Sequence, residues 1–398
     1  MKHELAINGG TPVREEYLSY GCPTIDDEDI KLVVNVLKGN YLTTGPNIKQ
    51  FEEMVASYVG CKYAVAVSNG TAALHAACFA AGIKEGDEVI TTPMTFVASA
   101  NCVLYCGGKP VFADINPFTY SIDPKEIEKK ITSKTKAIIP VDFTGQAVDL
   151  DEIKKIAEKY NLIIIEDAAH AIGTRYKGKK VGNISDMTEF SFHPVKTITT
   201  GEGGVITTNS KELYDKLVLF RTHGITREKE FLVNKEEGPW YYEQIDLGYN
   251  YRITDIQCAL GISQLNKLDK FIERRKELVK MYNEELSKVD GIIIQKDDDF
   301  SDTARHLYII KLELEKFKVG RKEIFEALQG ENIGVNVHYF PIYLQPYYKK
   351  HGYEEGLCPN SEDLYNKMIT LPLHANMSDK DLQDVVLAVN KVLNYYKK

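Results

Sequence analysis

The chain has 398 residues, 43% of them apolar, and 57 acidic against 49 basic side chains give it a net charge of −8. That length and apolar content allow two domains with buried cores, and the acidic balance without long Lys/Arg runs excludes an evident nucleic-acid or anionic-membrane surface. Seven scattered cysteines without a CxxC pair read as reduced core thiols of a cytoplasmic protein, and no run approaches the roughly 20 apolar residues of a membrane span.

Residues 1–25 are polar and turn-rich, and an arm lying on the body is expected. Asp26 to Leu37 predicts a helix with an acidic start and an apolar face at Ile30, Val33, Val34 and Leu37. Gly45 and Pro46 mark a turn. The run YAVAVSNGTAALHAACFAAGI then reads as strand, turn and helix, with alanine-rich Thr71 to Ala81 a strong helix former. Small residues at a helix N-terminus leave backbone N–H groups free for an anion, so Gly70 and Thr71 are candidates for a phosphate. A turn that merely caps a helix has the same sequence.

Glu88 to Thr92 predicts a short strand, and Pro93 to Phe96 follow it. Strands at Pro110 to Asp114 and Ala137 to Val141 alternate with helices at Pro124 to Ile131 and Asp151 to Lys159, a βαβ rhythm that implies a largely parallel sheet. Leu162 to Ile165 is a wholly apolar strand ending at Glu166 and Asp167, with His170 just beyond. A second strand, Met187 to Phe192, carries Ser191 and runs on to His193, Lys196 and the flexible stretch Gly201 to Gly204. Ligands of open α/β sheets bind beyond the carboxyl ends of strands. An acid, a lysine and a glycine-lined loop there suit pyridoxal phosphate, whose aldehyde condenses with a lysine amine while a carboxylate keeps the pyridine nitrogen protonated. Lys196 and Asp167 take those roles. Singly, a lysine is more often a solvated surface group and an Asp after a strand a helix N-cap.

Lys211 to Phe220 predicts a helix, and Arg227 to Glu237 an exposed loop. Asn250 and Arg252 precede an amphipathic helix, and from about Asp269 a long charged helix begins. Strands at Gly291 to Ile294 and Leu307 to Leu314 and a helix at Arg321 to Gln329 suggest a smaller α/β domain. The expected division is an arm at 1–25, a large domain at 26–262 and a small domain at 263–398. No GxGxxG follows a strand, which counts against a dinucleotide-binding fold, and no metal site is expected.

Six segments in order, LTTGPNIKQFEE, AVAVSNGTAALHAA, GDEVITTPMTFVASAN, IIIEDAAHAIG, SFHPVKTITTGEGGV and LGYNYRITDIQCALG, resemble the sugar aminotransferases of the DegT/DnrJ/EryC1/StrS family. The likeness spans Tyr20 to about Pro372. It implies fold type I of the pyridoxal phosphate enzymes: a large domain with a mixed, mostly parallel sheet between helices, plus a smaller C-terminal α/β domain. It also implies L-glutamate as amino donor, a nucleotide-linked 4-keto-6-deoxy sugar as acceptor, and a homodimer with shared active sites. By resemblance, Phe96 stacks on the cofactor ring, Ser191 helps to hold its phosphate, and Asn250 reaches the phosphate in the neighbouring subunit. His170 stands near the cofactor's 3′ oxygen where many relatives have glutamine. Arg252, His338 and Tyr339 are substrate candidates. The HPVKTITTGEGG and EDAAHAIG forms resemble the branch that aminates C4 of a UDP-linked sugar for pseudaminic acid. A dehydratase of the same family would carry histidine in place of Lys196, and a non-catalytic regulator would have no need of that lysine.

Overall fold

The computed structural model describes residues 4–398. Helices α1 (Asp27–Leu37) and α2 (Pro46–Val59) precede β1 (Tyr63–Val67), α3 (Gly70–Ala80), β2 (Glu88–Thr91), α4 (Ala98–Tyr105) and β3 (Lys109–Phe112). Next come α5 (Pro124–Lys129), β4 (Thr135–Ile139), α6 (Leu150–Tyr160), β5 (Ile163–Asp167) and a small hairpin, β6 (Arg175–Tyr176) and β7 (Lys179–Lys180). Strands β8 (Met187–Ser191) and β9 (Gly204–Thr208) complete a seven-stranded sheet in the order β1-β9-β8-β5-β4-β2-β3. Only β9 runs antiparallel to its neighbours in that sheet.

Strand alternation divides the core between the two faces of this sheet. Val65, Val67, Ile165, Met187 and Ile206 pack beneath α3, α4 and α7 (Lys211–Arg221), whereas Ala64, Ala66, Ile164, Phe190 and Val205 meet α2, α6 and the start of α8 (Asp255–Leu286). Continuing the alternation along β5 sends Glu166 to the second face, where Ser185 and Thr188 hydroxyls donate to it at 2.9 Å each, and Asp167 to the α3 face. The site therefore lies on the α3 side.

A second sheet, β12 (Ile292–Ile294), β14 (Tyr308–Leu312) and β15 (Met368–Leu371), is antiparallel and packs with α9 (Arg321–Gly330), α12 (Asp379–Tyr396) and the end of α8. Its core also buries Leu5 and Leu18 of the N-terminal arm, and Glu331 accepts from the N–H groups of Ala6 and Val13. The arm is thus fastened to the C-terminal part of the chain. Between β14 and β15 the chain forms α10 (Pro346–Lys350), whose Tyr348 packs with Phe112 of β3, and α11 (Pro359–Lys367), whose Leu364 packs with Leu307 and Ile309, while β13 (Ser301–Asp302) pairs with β6. The exposed stretch expected at 227–237 lies between β10 (Ile225–Thr226) and β11 (Glu243–Gln244), which pair with each other. Among the described residues, no helix is long and apolar enough to cross a membrane. All seven cysteines are free thiols.

Three local expectations are corrected. Helix α1 does not bury its Ile30/Leu37 stripe: these are 53% and 56% exposed, while Asp29 and Val36 face inward. The reason is polar, because buried Asp29 accepts from the Gln264 amide at 2.8 Å and the Lys267 ammonium at 2.7 Å, and this anchors α1 on α8. Helix α8 is a single element from Asp255 to Leu286 and not a short helix followed by another near Asp269, with Ile272 in the first core and Leu278 in the second. The glycine stretch expected at 201–204 is a loop only as far as Gly203: the chain turns at Gly201 (φ +80°) and Gly204 begins β9, where a Cβ would stand 2.6 Å from the Asn69 carbonyl oxygen. Only glycine lets β9 slide in that close between β1 and β8.

Candidate active site

A cavity of about 850 Å³ opens beyond the carboxyl ends of β1, β2, β5 and β8 and is closed on one side by His306, His338 and Tyr339. Of the residues expected from sequence, Gly70, Thr71, Phe96, Asp167, His170, Ser191, Lys196, His338 and Tyr339 all line it. Asn250 and Arg252 do not. Asn250 is exposed and its backbone bridges Thr222, while half-buried Arg252 bridges Val67 at the end of β1. The Val67 pairing sets Arg252 beside the end of β1, from which the cavity opens.

Asp167 ends β5 and accepts hydrogen bonds from Ser99 Oγ at 2.6 Å and from the Ala169 N–H at 3.2 Å. Ser99 sits in the first turn of α4, so two different crossovers fix one carboxylate. Lys196 follows β8 in a turn closed by its own N–H donating to the His193 carbonyl at 2.9 Å. Desolvation lowers its ammonium pKa to about 8, against the opposing attraction of Asp167. More free amine at neutral pH than an ordinary lysine offers is what a lysine nucleophile requires.

At the other end of the cavity Asn69 caps α3, its side chain accepting from the Ala72 N–H at 2.8 Å. The N–H groups of Gly70 and Thr71 belong to the first turn and have no acceptor within the helix. A Cβ at Gly70 would lie 2.6 Å from Glu189 Oε1 and 3.1 Å from Ser191 Oγ. Glycine keeps that helix end open to an anion, and the Ser191 hydroxyl stands beside it. Phe96 is 57% exposed at the cavity mouth, with its ring centroid 6.3 Å from that of Tyr339.

The far wall is a group of neutral imidazoles. His170 Nε2 and the Tyr339 hydroxyl share a hydrogen bond at 3.3 Å, and the rings of His170 and His306 are 4.5 Å apart. Burial first, then the Lys196 charge, holds His338 at about 4, and burial likewise pushes His170 and His306 well below the usual imidazole range. His338 is tied to Thr370 Oγ1 at 3.0 Å. His170 therefore enters the site with Nε2 occupied by Tyr339 and Nδ1 without a partner among the described residues.

Sequence reasoning missed Ser99, Glu189, Tyr20 and His306, and an aromatic group at His75, Tyr105, Tyr249 and Tyr251 that extends the cavity. Glu189 had a usable signal: it stands two residues before Ser191 on a strand, so the two share a face. Tyr20 and His306 come from distant parts of the chain and carry no local mark.

The model of the DegT/DnrJ/EryC1/StrS aminotransferase family matches residues 23–390. The chain belongs to this family. Its relatives include the spore coat polysaccharide biosynthesis protein SpsC of Bacillus subtilis, 42% identical over 96% of this chain and 98% of that one. The UDP-4-amino-4,6-dideoxy-N-acetyl-β-L-altrosamine transaminase of Campylobacter jejuni is 41% identical over 96% of this chain and 99% of its own. Among solved structures, Helicobacter pylori PseC, an aminotransferase of pseudaminic acid biosynthesis, superposes with a TM-score of 0.89 at 34% identity, covering 96% of this chain and 100% of the other. The protein is a sugar aminotransferase dependent on pyridoxal phosphate, with the fold type I α/β architecture expected from sequence. The site of this aminotransferase fits that cofactor: it offers a lysine amine, a held carboxylate and a glycine-opened helix N-terminus around one cavity.

Proposed function

We propose that the enzyme moves an amino group from L-glutamate to C4 of UDP-2-acetamido-2,6-dideoxy-β-L-arabino-hex-4-ulose, a step of pseudaminic acid biosynthesis in the cytoplasm. The observation that carries the transfer chemistry is the Lys196 amine, with its pKa near 8, in one cavity with Asp167. Pyridoxal phosphate supplies an aldehyde for an amine and a ring that accepts electrons from the carbon being deprotonated. Lys196 Nζ would hold the cofactor at rest and, as a free amine, would move the donor's proton. Asp167 would accept the hydrogen bond of the ring nitrogen and keep it protonated. The Gly70 and Thr71 N–H groups with Ser191 Oγ would hold the phosphate, Phe96 would cover the ring, and His170 would be available to its 3′ oxygen.

The acceptor is argued from the HPVKTITTGEGG and EDAAHAIG segments and from the likeness to the C. jejuni and H. pylori proteins. The equal likeness to SpsC supports a second reading, another nucleotide-linked 3- or 4-keto-6-deoxy sugar. We further propose a homodimer in which Asn250, exposed and outside its own cavity, completes the partner's phosphate site. Arm 1–25, large domain 26–262 and small domain 263–398 describe the chain's division, with α8 running through the last boundary. Turnover of a panel of UDP- and dTDP-linked keto sugars with ¹⁵N-glutamate, followed by NMR of the product, tests the reading. An amine at C4 of the UDP sugar is expected; an amine at C3, or a preference for dTDP sugars, overturns it in favour of the second.

A further inference from the structure

Strands β5 and β8 pair in parallel with Asp167 opposite Glu189, and the Ala168 N–H donates to the Glu189 carbonyl at 2.9 Å. Residues in register on adjacent strands project to the same face, so two carboxyl groups meet on the cavity side of the sheet. Asp167 is well held. Glu189 is 1% exposed, lines the cavity, and has no hydrogen-bond partner on either carboxyl oxygen among the described residues. Its Oε1 lies beneath Gly70, against the helix end assigned to the cofactor phosphate.

The charges do not balance if both acids ionise. Lys196 is the lysine lining the cavity, and no arginine among the described residues lines it. Even with a protonated ring nitrogen beside the Lys196 ammonium, two cations would face two carboxylates and a phosphate dianion, with one carboxylate stripped of both water and donors, an arrangement that burial strongly disfavours.

We propose that Glu189 is a neutral carboxylic acid paired with Asp167, a positioning residue that leaves Asp167 the sole anion facing the cofactor ring and keeps the phosphate cradle free of a second negative charge. Burial and the Asp167 charge push the Glu189 carboxyl well above the usual carboxylate range, and Lys196 opposes them. The titratable groups that face it are Asp167 on β5, Lys196 beyond β8 and Cys102 on α4. A neutral acid has one O–H to donate, and the Asp167 carboxylate, opposite it in register, is the charged acceptor on the same face.

The idea rests on the roles given above to Asp167 and to the helix end, but its first test is read on cofactor-free protein and so fails independently of them. Infrared difference spectra of apo wild type against Glu189→Gln at neutral pH should lose a protonated-carboxylic-acid carbonyl band. Loss of carboxylate bands alone would overturn the proposal. Pyridoxal phosphate titrated into the same two proteins should bind within about 3-fold of equal affinity at neutral pH, because a neutral group replaces a neutral group. The curves should part at alkaline pH, where wild type ionises and weakens and the variant does not. If Glu189 were already ionised, the Gln variant would bind at least about 10-fold tighter at neutral pH, the scale of one unit charge near a phosphate in a partly desolvated site. Glu189→Met repeats the test with a neutral side chain of similar length. Failure of both variants to fold would itself count against a neutral acid.

Discussion

Raising the pH of the cofactor-free enzyme should free the Lys196 amine well before its other lysines. Desolvation brings its pKa to about 8, with the Asp167 charge pulling the other way. At pH 7 roughly 9% of a pKa-8 amine is neutral, against ~0.04% of an ordinary lysine near 10.4, a ~200-fold advantage. Surface lysines make good internal controls, since ion pairs with Glu126 and Glu152 raise Lys129 and Lys155. Pulse acetylation across the pH range, with mass mapping of each lysine peptide, reads every midpoint in one experiment. Asp167→Asn removes a charge that favours the ammonium, so the Lys196 midpoint should move down. The linkage has a definite sign: the folded pKa lies below the unfolded value, the folded state binds fewer protons between about 8 and 10.5, and this group's contribution to stability rises with pH through that window. A Lys196 midpoint near the controls, or a borohydride-fixed cofactor on another lysine peptide, would refute the reasoning.

Lys196→Ala should still bind pyridoxal phosphate non-covalently yet lose at least ~100-fold in turnover, measured by single-turnover absorbance, if that amine carries the proton. Asp167→Asn should fold normally, by circular dichroism, but sharply slow the half-reaction with glutamate; unchanged kinetics would mean that another group faces the ring nitrogen. Gly70→Ala places a methyl 2.6 Å from Glu189 Oε1 at the helix end, and cofactor affinity should fall at least about 10-fold in a direct titration. Mixing inactive Lys196→Ala and Asn250→Ala chains after dissociation should restore about a quarter of the clefts, since half the random dimers are mixed and each has one intact site. No recovery, with exchange verified by mass, would exclude a shared site.

What the sequence determined by itself was local and periodic. Apolar runs of strand length alternating with amphipathic helices dictated a parallel α/β sheet, and the positions just past those strands named Gly70, Asp167, Ser191 and Lys196, which the fold gathers around one cavity. The family segments supplied the chemistry. Decisions that depend on which surfaces meet belonged to the tertiary structure. Hydrophobic periodicity gave α1 its apolar stripe, yet Asp29 turns inward because Gln264 and Lys267, far along the chain, satisfy it. A glycine cluster reads as a flexible loop until Gly204 is seen against the Asn69 backbone, where its missing side chain admits a strand. Period two assigns Glu189 to the face of Ser191, but only the register of β8 on β5 sets it opposite Asp167 and away from water. The lowered pKa of Lys196 likewise belongs to no residue alone, because desolvation and neighbouring charge exist only once distant segments have closed around the amine.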